Sequence, residues 1–132
     1  MTVAARDDGQ VAVEQDGDHN QVRLVGTLSG TVEQRVLPSG DELAQFRLVV
    51  HRPDRGADTI PVRFGPAPPS GQRRHGYPVG RRALGQVLRL PAGSRIEVAG
   101  SLRRRWWAAG AARRSRIEVA ASSVRALEPL TA

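Results

Sequence analysis

From Asn20 onward the chain alternates: Val22, Leu24, Gly26 and Leu28 fall on one face, and Arg23, Val25 and Thr27 on the other. That is the period of a half-buried strand. Gly26 interrupts the apolar face, which in a strand interior marks a bend or a close backbone approach, as at a barrel corner. A second extended piece, residues 31–37, runs into Pro38-Ser39-Gly40-Asp41. Proline there sets φ and glycine supplies positive φ, so a tight reversal is expected. The return strand, residues 43–52, sets Phe46, Leu48 and Val50 against Arg47, Val49 and His51; Phe46 belongs to the core.

Residues 58–64 form a shorter strand in which Pro61, lacking an N–H, argues for an edge position or a bulge. A Pro/Gly/Arg-rich loop follows over residues 66–78. Leu84, Val87 and Leu88 then recur at helical spacing among Arg81, Arg82 and Arg89, predicting one short amphipathic helix that stops at Pro91-Ala92-Gly93. Two further strands span residues 94–107, with Ile96, Val98, Gly100 and Leu102 inward, and residues 114–127, with Ile117 and Val119 inward. Five strands, one helix between the third and fourth, and glycines inside long bent strands predict an all-β, five-stranded OB-type barrel. A small β-sandwich is the structural rival. Residues 1–19 read as an acidic, mobile arm in which Val11 and Val13 hint at an edge strand. Residues 20–127 read as the barrel, and residues 128–132 as a short tail.

Composition adds the partner class. The 132-residue chain has room for one core. Its net charge is +7, its bases are all arginine, and it has no cysteine. Between Gly71 and Arg116 twelve arginines face Glu97 alone, whereas Asp7, Asp8, Glu14, Asp16 and Asp18 crowd the first residues. A polyanionic partner is favoured, nucleic acid first. The start of the chain carries neither a signal-peptide pattern nor an apolar span, so a cytoplasmic, nucleoid-associated protein without membrane contact is expected. His19, His51 and His75 lack metal-site spacing, and no carboxylate pair, activated nucleophile or phosphate-cradling loop is visible. Neither an enzyme nor a cofactor or metal is therefore expected.

The candidate chemistry sits in Arg103-Arg104-Arg105-Trp106-Trp107. Strand alternation puts Arg103, Arg105 and Trp107 on one face and Arg104 and Trp106 on the other. Guanidinium groups bind phosphates and an indole stacks on any base, so the outward set suits a single strand of arbitrary sequence. Trp107 is taken as outward and Trp106 as packing, against the plainer reading of a solvated strand whose tryptophans cover the barrel. Arg23 and Arg47 would extend the basic groove or merely dress the surface. Arg113 ends the loop over residues 108–113, and Arg114 starts the facing strand. Phe64 is a second stacking platform or a core residue.

Taken in order, four stretches carry a family pattern. They are Asn20-Gln21-Val22-Arg23-Leu24-Val25-Gly26-Thr27-Leu28; Leu37-Pro38-Ser39-Gly40-Asp41 with Ala44-Gln45-Phe46-Arg47-Leu48-Val49-Val50; Val62-Arg63-Phe64-Gly65; and the run from Ile96 through Trp107. With these the chain resembles the bacterial single-stranded DNA-binding protein family, in its Arg-rich actinobacterial form. The resemblance implies an OB fold, a homotetramer or dimer, and wrapping of single-stranded DNA in replication, recombination or repair. It also implies base stacking on Trp107 and Phe64 and a basic groove at Arg103 and Arg105. Pro53-Asp54 and Asp58-Thr59 stand where the family carries further aromatics, and residues 66–79 look inserted. Residues 126–132 lack the acidic, Phe-ended tip that recruits other proteins, which suggests a specialised paralogue or a minimal domain. An RNA-binding or RNA-chaperone module, and a structural oligomerisation domain, use the same groups and stay open.

Overall fold

The computed structural model describes residues 2–5, 11–14, 17–68, 77 and 79–128, the first two stretches as backbone. It contains β1 (Thr2–Ala5), β2 (Val11–Glu14), β3 (Val22–Val36), β4 (Glu42–His51), β5 (Ala57–Ala67), α1 (Arg81–Leu88), β6 (Arg95–Ala109) and β7 (Ala112–Ala126). Strands β3 to β7 close into a barrel in the order β3-β4-β5-β7-β6, with β6 returning to β3. All pairs are antiparallel except β5 with β7, where residues 62–64 run parallel to 119–121. This is the OB-type barrel that the alternation predicts. Within the expected arm, β1 and β2 pair antiparallel, Val3 opposite Val13. The inserted-looking loop and the final residues fall largely outside the described residues.

The inward-facing positions meet in one core: Leu28, Phe46, Leu48, Val62, Phe64, Ile96, Val98 and Val119. Leu84 and Val87 on α1 join it, so the helix closes the barrel against β3, β4 and β5. Burying each such side chain contributes about 1.5–3 kcal/mol. The helix starts at Gly80 without a side-chain cap, and its first turn carries no acid. Arg81 there opposes the helix dipole; Glu42 offsets this by accepting from Arg81 Nη1 at 2.7 Å.

The reversal at Pro38-Ser39-Gly40-Asp41 forms as expected, with Gly40 at φ 90° and the Gly40 amide donating to Leu37 O at 2.8 Å. The two extended pieces before it are one strand, β3, whose pairing with β4 shifts register between Ser29 and Glu33. Pro61 pairs with Arg47 in the half of β5 that precedes the contact with β7, so its missing donor meets no second strand. Gly26 and Gly100 mark close approaches: a Cβ would collide with Val49 O at the first and with Ala120 O at the second. At Gly100 the β6–β7 register also shifts, Ser122 being the extra residue.

Strands β6 and β7 outrun the barrel. Each has 15 residues, roughly 50 Å of extended chain. The β3 partner of β6 ends at Gly100, and the β5 partner of β7 covers residues 119–121. Beyond them the Asn20 side-chain amide hydrogen-bonds the N–H and C=O of Leu102, and among the described strands the two then pair only with each other up to the turn after Ala109. Three expectations are corrected for this one reason. Leu102 and Ile117 have the inward parity but are exposed, and so is Trp106, because the barrel that would cover them has ended.

Candidate nucleic-acid interface

The projecting hairpin is a two-stranded ribbon turned by Gly110-Ala111. Gly110 has φ 64° and Ala111 has no positive φ, the II′ arrangement that suits the strand twist. Cross-strand register fixes its faces. Arg103 opposes Glu118, Arg105 opposes Arg116 and Trp107 opposes Arg114, which places these six on one face. Arg104 opposes Ile117, Trp106 opposes Ser115 and Ala108 opposes Arg113, which makes the other. Trp107 is 37% exposed and Trp106 is 53% exposed. The Arg105 guanidinium lies 5.5 Å from the Trp107 ring centre. Arg113 and Arg104 lie 5.2 and 5.8 Å from that of Trp106.

Where the first face meets the barrel, Glu118 is buried to 3% exposure, and three arginines converge on it. Arg105 Nε stands 3.2 Å from its Oε1, Arg116 Nη2 is 3.4 Å from Oε2, and Arg63 Nη1 is 3.7 Å from Oε1. A carboxylate so buried persists because it is paired. Burial pulls the Arg63 guanidinium below its ordinary value, Glu118 opposes that shift, and Arg105 and Arg35 add to it. Beside the cluster lies an open groove of about 490 Å³, lined by Arg35, Gln45, Arg47, Arg105 and Arg116 among others. Two donors there, Gln45 Nε2 and Arg105 Nε, are buried without a hydrogen-bond acceptor; Arg105 Nε is close to Glu118 but misaligned for donation. The donors open to the groove are the exposed Arg35, Arg47 and Arg116, whose guanidinium groups can bind phosphate or base oxygens.

The remaining expected residues scatter. Arg47 is exposed and lines the groove. Arg114 shares the Trp107 face, whereas Arg113 shares the Trp106 face. Arg23 is held on the barrel wall by Glu97, its Nη2 2.6 Å from Oε2, with Arg125 on the other carboxylate oxygen. The bond from Arg23 keeps the Glu97 carboxyl below the usual range, and the Arg125 charge adds to it. Phe64 is 3% exposed among core side chains, so of its two readings the core one is realised: β5 turns it inward with Val62. Sequence reasoning missed Glu118, Arg63, Arg35, Gln45 and the exposure of Trp106. A hairpin register drawn through Gly110 pairs Arg103 with Glu118 and is the signal that finds the carboxylate.

No helix among the described residues is long and apolar enough to cross a membrane. No family model matches the chain, and no curated protein matches its sequence. Among solved structures, the dimeric N-terminal domain of the PriB protein from Thermoanaerobacter tencongensis is similar, with a TM-score of 0.58 and 21% identity over 83% of this chain and 98% of that one. At that identity the likeness is one of fold, and the fold it carries is the OB-type barrel.

Proposed function

We propose that the chain binds single-stranded DNA without sequence preference and without catalysis, along the face made by Arg47, Arg103, Arg105, Trp107 and Arg114. The observation that carries this reading is the exposed Trp107 ring, with Arg114 opposite it on the same face and beside it Arg105, which also lines the groove with the exposed Arg47 and Arg116. A base stacks on the indole while Arg103 and Arg114 take the flanking phosphates; stacking contributes about 1–3 kcal/mol. Nothing in that chemistry reads a base edge, so binding follows strand flexibility and charge. The role matches the bacterial single-stranded DNA-binding proteins, in replication, recombination or repair at the nucleoid, with the chain assembled as a homodimer or homotetramer. The dimeric state of the PriB domain supports assembly.

Titrating oligothymidine against tryptophan emission tests the proposal, with mass measured in parallel. Quenching is expected, with affinity falling steeply in salt; four phosphate contacts give a log–log slope of about −3. Trp107→Ala weakens binding by roughly 5- to 150-fold. Absence of quenching at low salt refutes the reading, and an equal-length oligouridine that binds more tightly moves it to RNA.

A further inference from the structure

Trp106 has no role in that face. Its ring is the most exposed of the large apolar groups on the hairpin, flanked by Arg104 and Arg113. Toward its tip the ribbon is one strand pair thick, and both Trp106 and Trp107 are exposed there. From Arg103 to Ile117 the sequence has no acidic residue. Both faces thus present an indole and arginines, and the Trp106 face has no carboxylate beside them.

We propose that Trp106, Arg104 and Arg113 form a second single-strand site, on the hairpin face opposite Trp107. This rests on the reading of the first face as a single-strand binder. A second copy of the chain is the competing occupant, since Leu102 and Ile117 give the face apolar area. Symmetric self-association would set Arg104 and Arg113 against their own counterparts, with no carboxylate of this face to neutralise them. A polyanion has the complementary charge. The exchange also favours a base: a cation–π contact at an exposed site contributes about 0.5–1 kcal/mol, against about 1–3 kcal/mol for a stacked base. The displaced guanidinium is then free for the adjoining phosphate. Because the two rings project to opposite sides, each strand segment engages one ring, and the hairpin is gripped between two.

The chain has two tryptophans, so Trp107→Ala leaves Trp106 as the sole emitter. Oligothymidine is expected to quench it in a salt-dependent manner, and adding Arg104→Ala and Arg113→Ala to weaken the residual binding about tenfold. The reciprocal Trp106→Phe variant reports Trp107, and circular dichroism checks that each variant folds. Quenching of Trp107 with no response from Trp106 overturns this inference and leaves the first site standing. Silence of both overturns both. A Trp106 emission that shifts to the blue with protein concentration and ignores DNA assigns the face to a second copy and overturns the inference.

Discussion

Replacing Glu118 by glutamine sets stability against binding. The substitution keeps the shape of the side chain and removes the one charge on which Arg63, Arg105 and Arg116 converge. Breaking a fully buried pair from one side costs about 3–5 kcal/mol. Here the arginine side chains are 24, 27 and 43% exposed, and water screens part of the loss, so about 2 kcal/mol is expected. Binding moves the other way. A phosphate held on the far side of these guanidiniums sits about 7 Å from the carboxylate. At that distance the repulsion is about 0.6 kcal/mol at the dielectric of water and about 2.4 kcal/mol at a surface value of 20. Glu118→Gln therefore tightens oligothymidine binding by about 3- to 60-fold while lowering the urea midpoint. Equal urea midpoints would refute the clamp. Weaker binding by a folded variant would show that the carboxylate matters more by aiming Arg105 than by repelling phosphate.

Three other substitutions probe separate links. Phe64→Leu removes buried volume and lowers stability by about 1–2 kcal/mol, with oligothymidine affinity unchanged; an affinity loss the size of a stacked base would mean that Phe64 leaves the core on binding. Gly100→Ala drives a Cβ into Ala120 O and within 2.8 Å of Ala121 Cα, and costs at least about 1–3 kcal/mol in thermal or urea unfolding; wild-type stability would show that β6 and β7 approach less closely there. Glu97 has a folded-state value below its ordinary 4.5. Its contribution is present above that ordinary value and lost as pH falls through the folded one. Thermal melts below about pH 4.5 should decline less steeply in Glu97→Gln than in wild type, and identical acid limbs would remove Glu97 from the acid response.

The alternation of Val22, Leu24 and Leu28, of Phe46 and Leu48, and of Ile96 and Val98 made the barrel legible, because burial on one side imposes period two. Turn chemistry at Pro38-Ser39-Gly40-Asp41 and helical spacing at Leu84 and Val87 supplied the connections. Parity was legible even in Arg103 to Trp107: odd positions share one face and even positions the other. Where the barrel ends was not, since that depends on which strands reach alongside β6 and β7, a tertiary fact with no local signature. The core that parity predicts for Trp106, Leu102 and Ile117 therefore stops short of them. Phe64 illustrates the converse, for a resemblance transfers a residue type but not the direction in which β5 turns it. Glu118 escaped notice because its partners come from β5, β6 and β7 together.

Charge distribution is a further reason to place the proposed binding on the hairpin. Over the barrel, several arginines have carboxylate partners: Arg23 and Arg125 share Glu97, Arg81 meets Glu42, and Arg52 meets Asp54 and Asp58, whereas Arg35 and Arg47 beside the groove have none among the described residues. Among the described residues no carboxylate lies within ion-pair distance of Arg103, Arg104, Arg113 or Arg114. Each paired arginine must exchange a carboxylate for a phosphate, which returns little net energy. Each unpaired one neutralises a phosphate directly and releases its counterion. The same four arginines lie beside two uncovered indoles on a ribbon reachable from both sides. A net charge of +7 spread evenly over the barrel would attract a polyanion without orienting it. In the proposed complex, the arginines that lack carboxylate partners on the hairpin orient the strand toward the rings on which its bases stack.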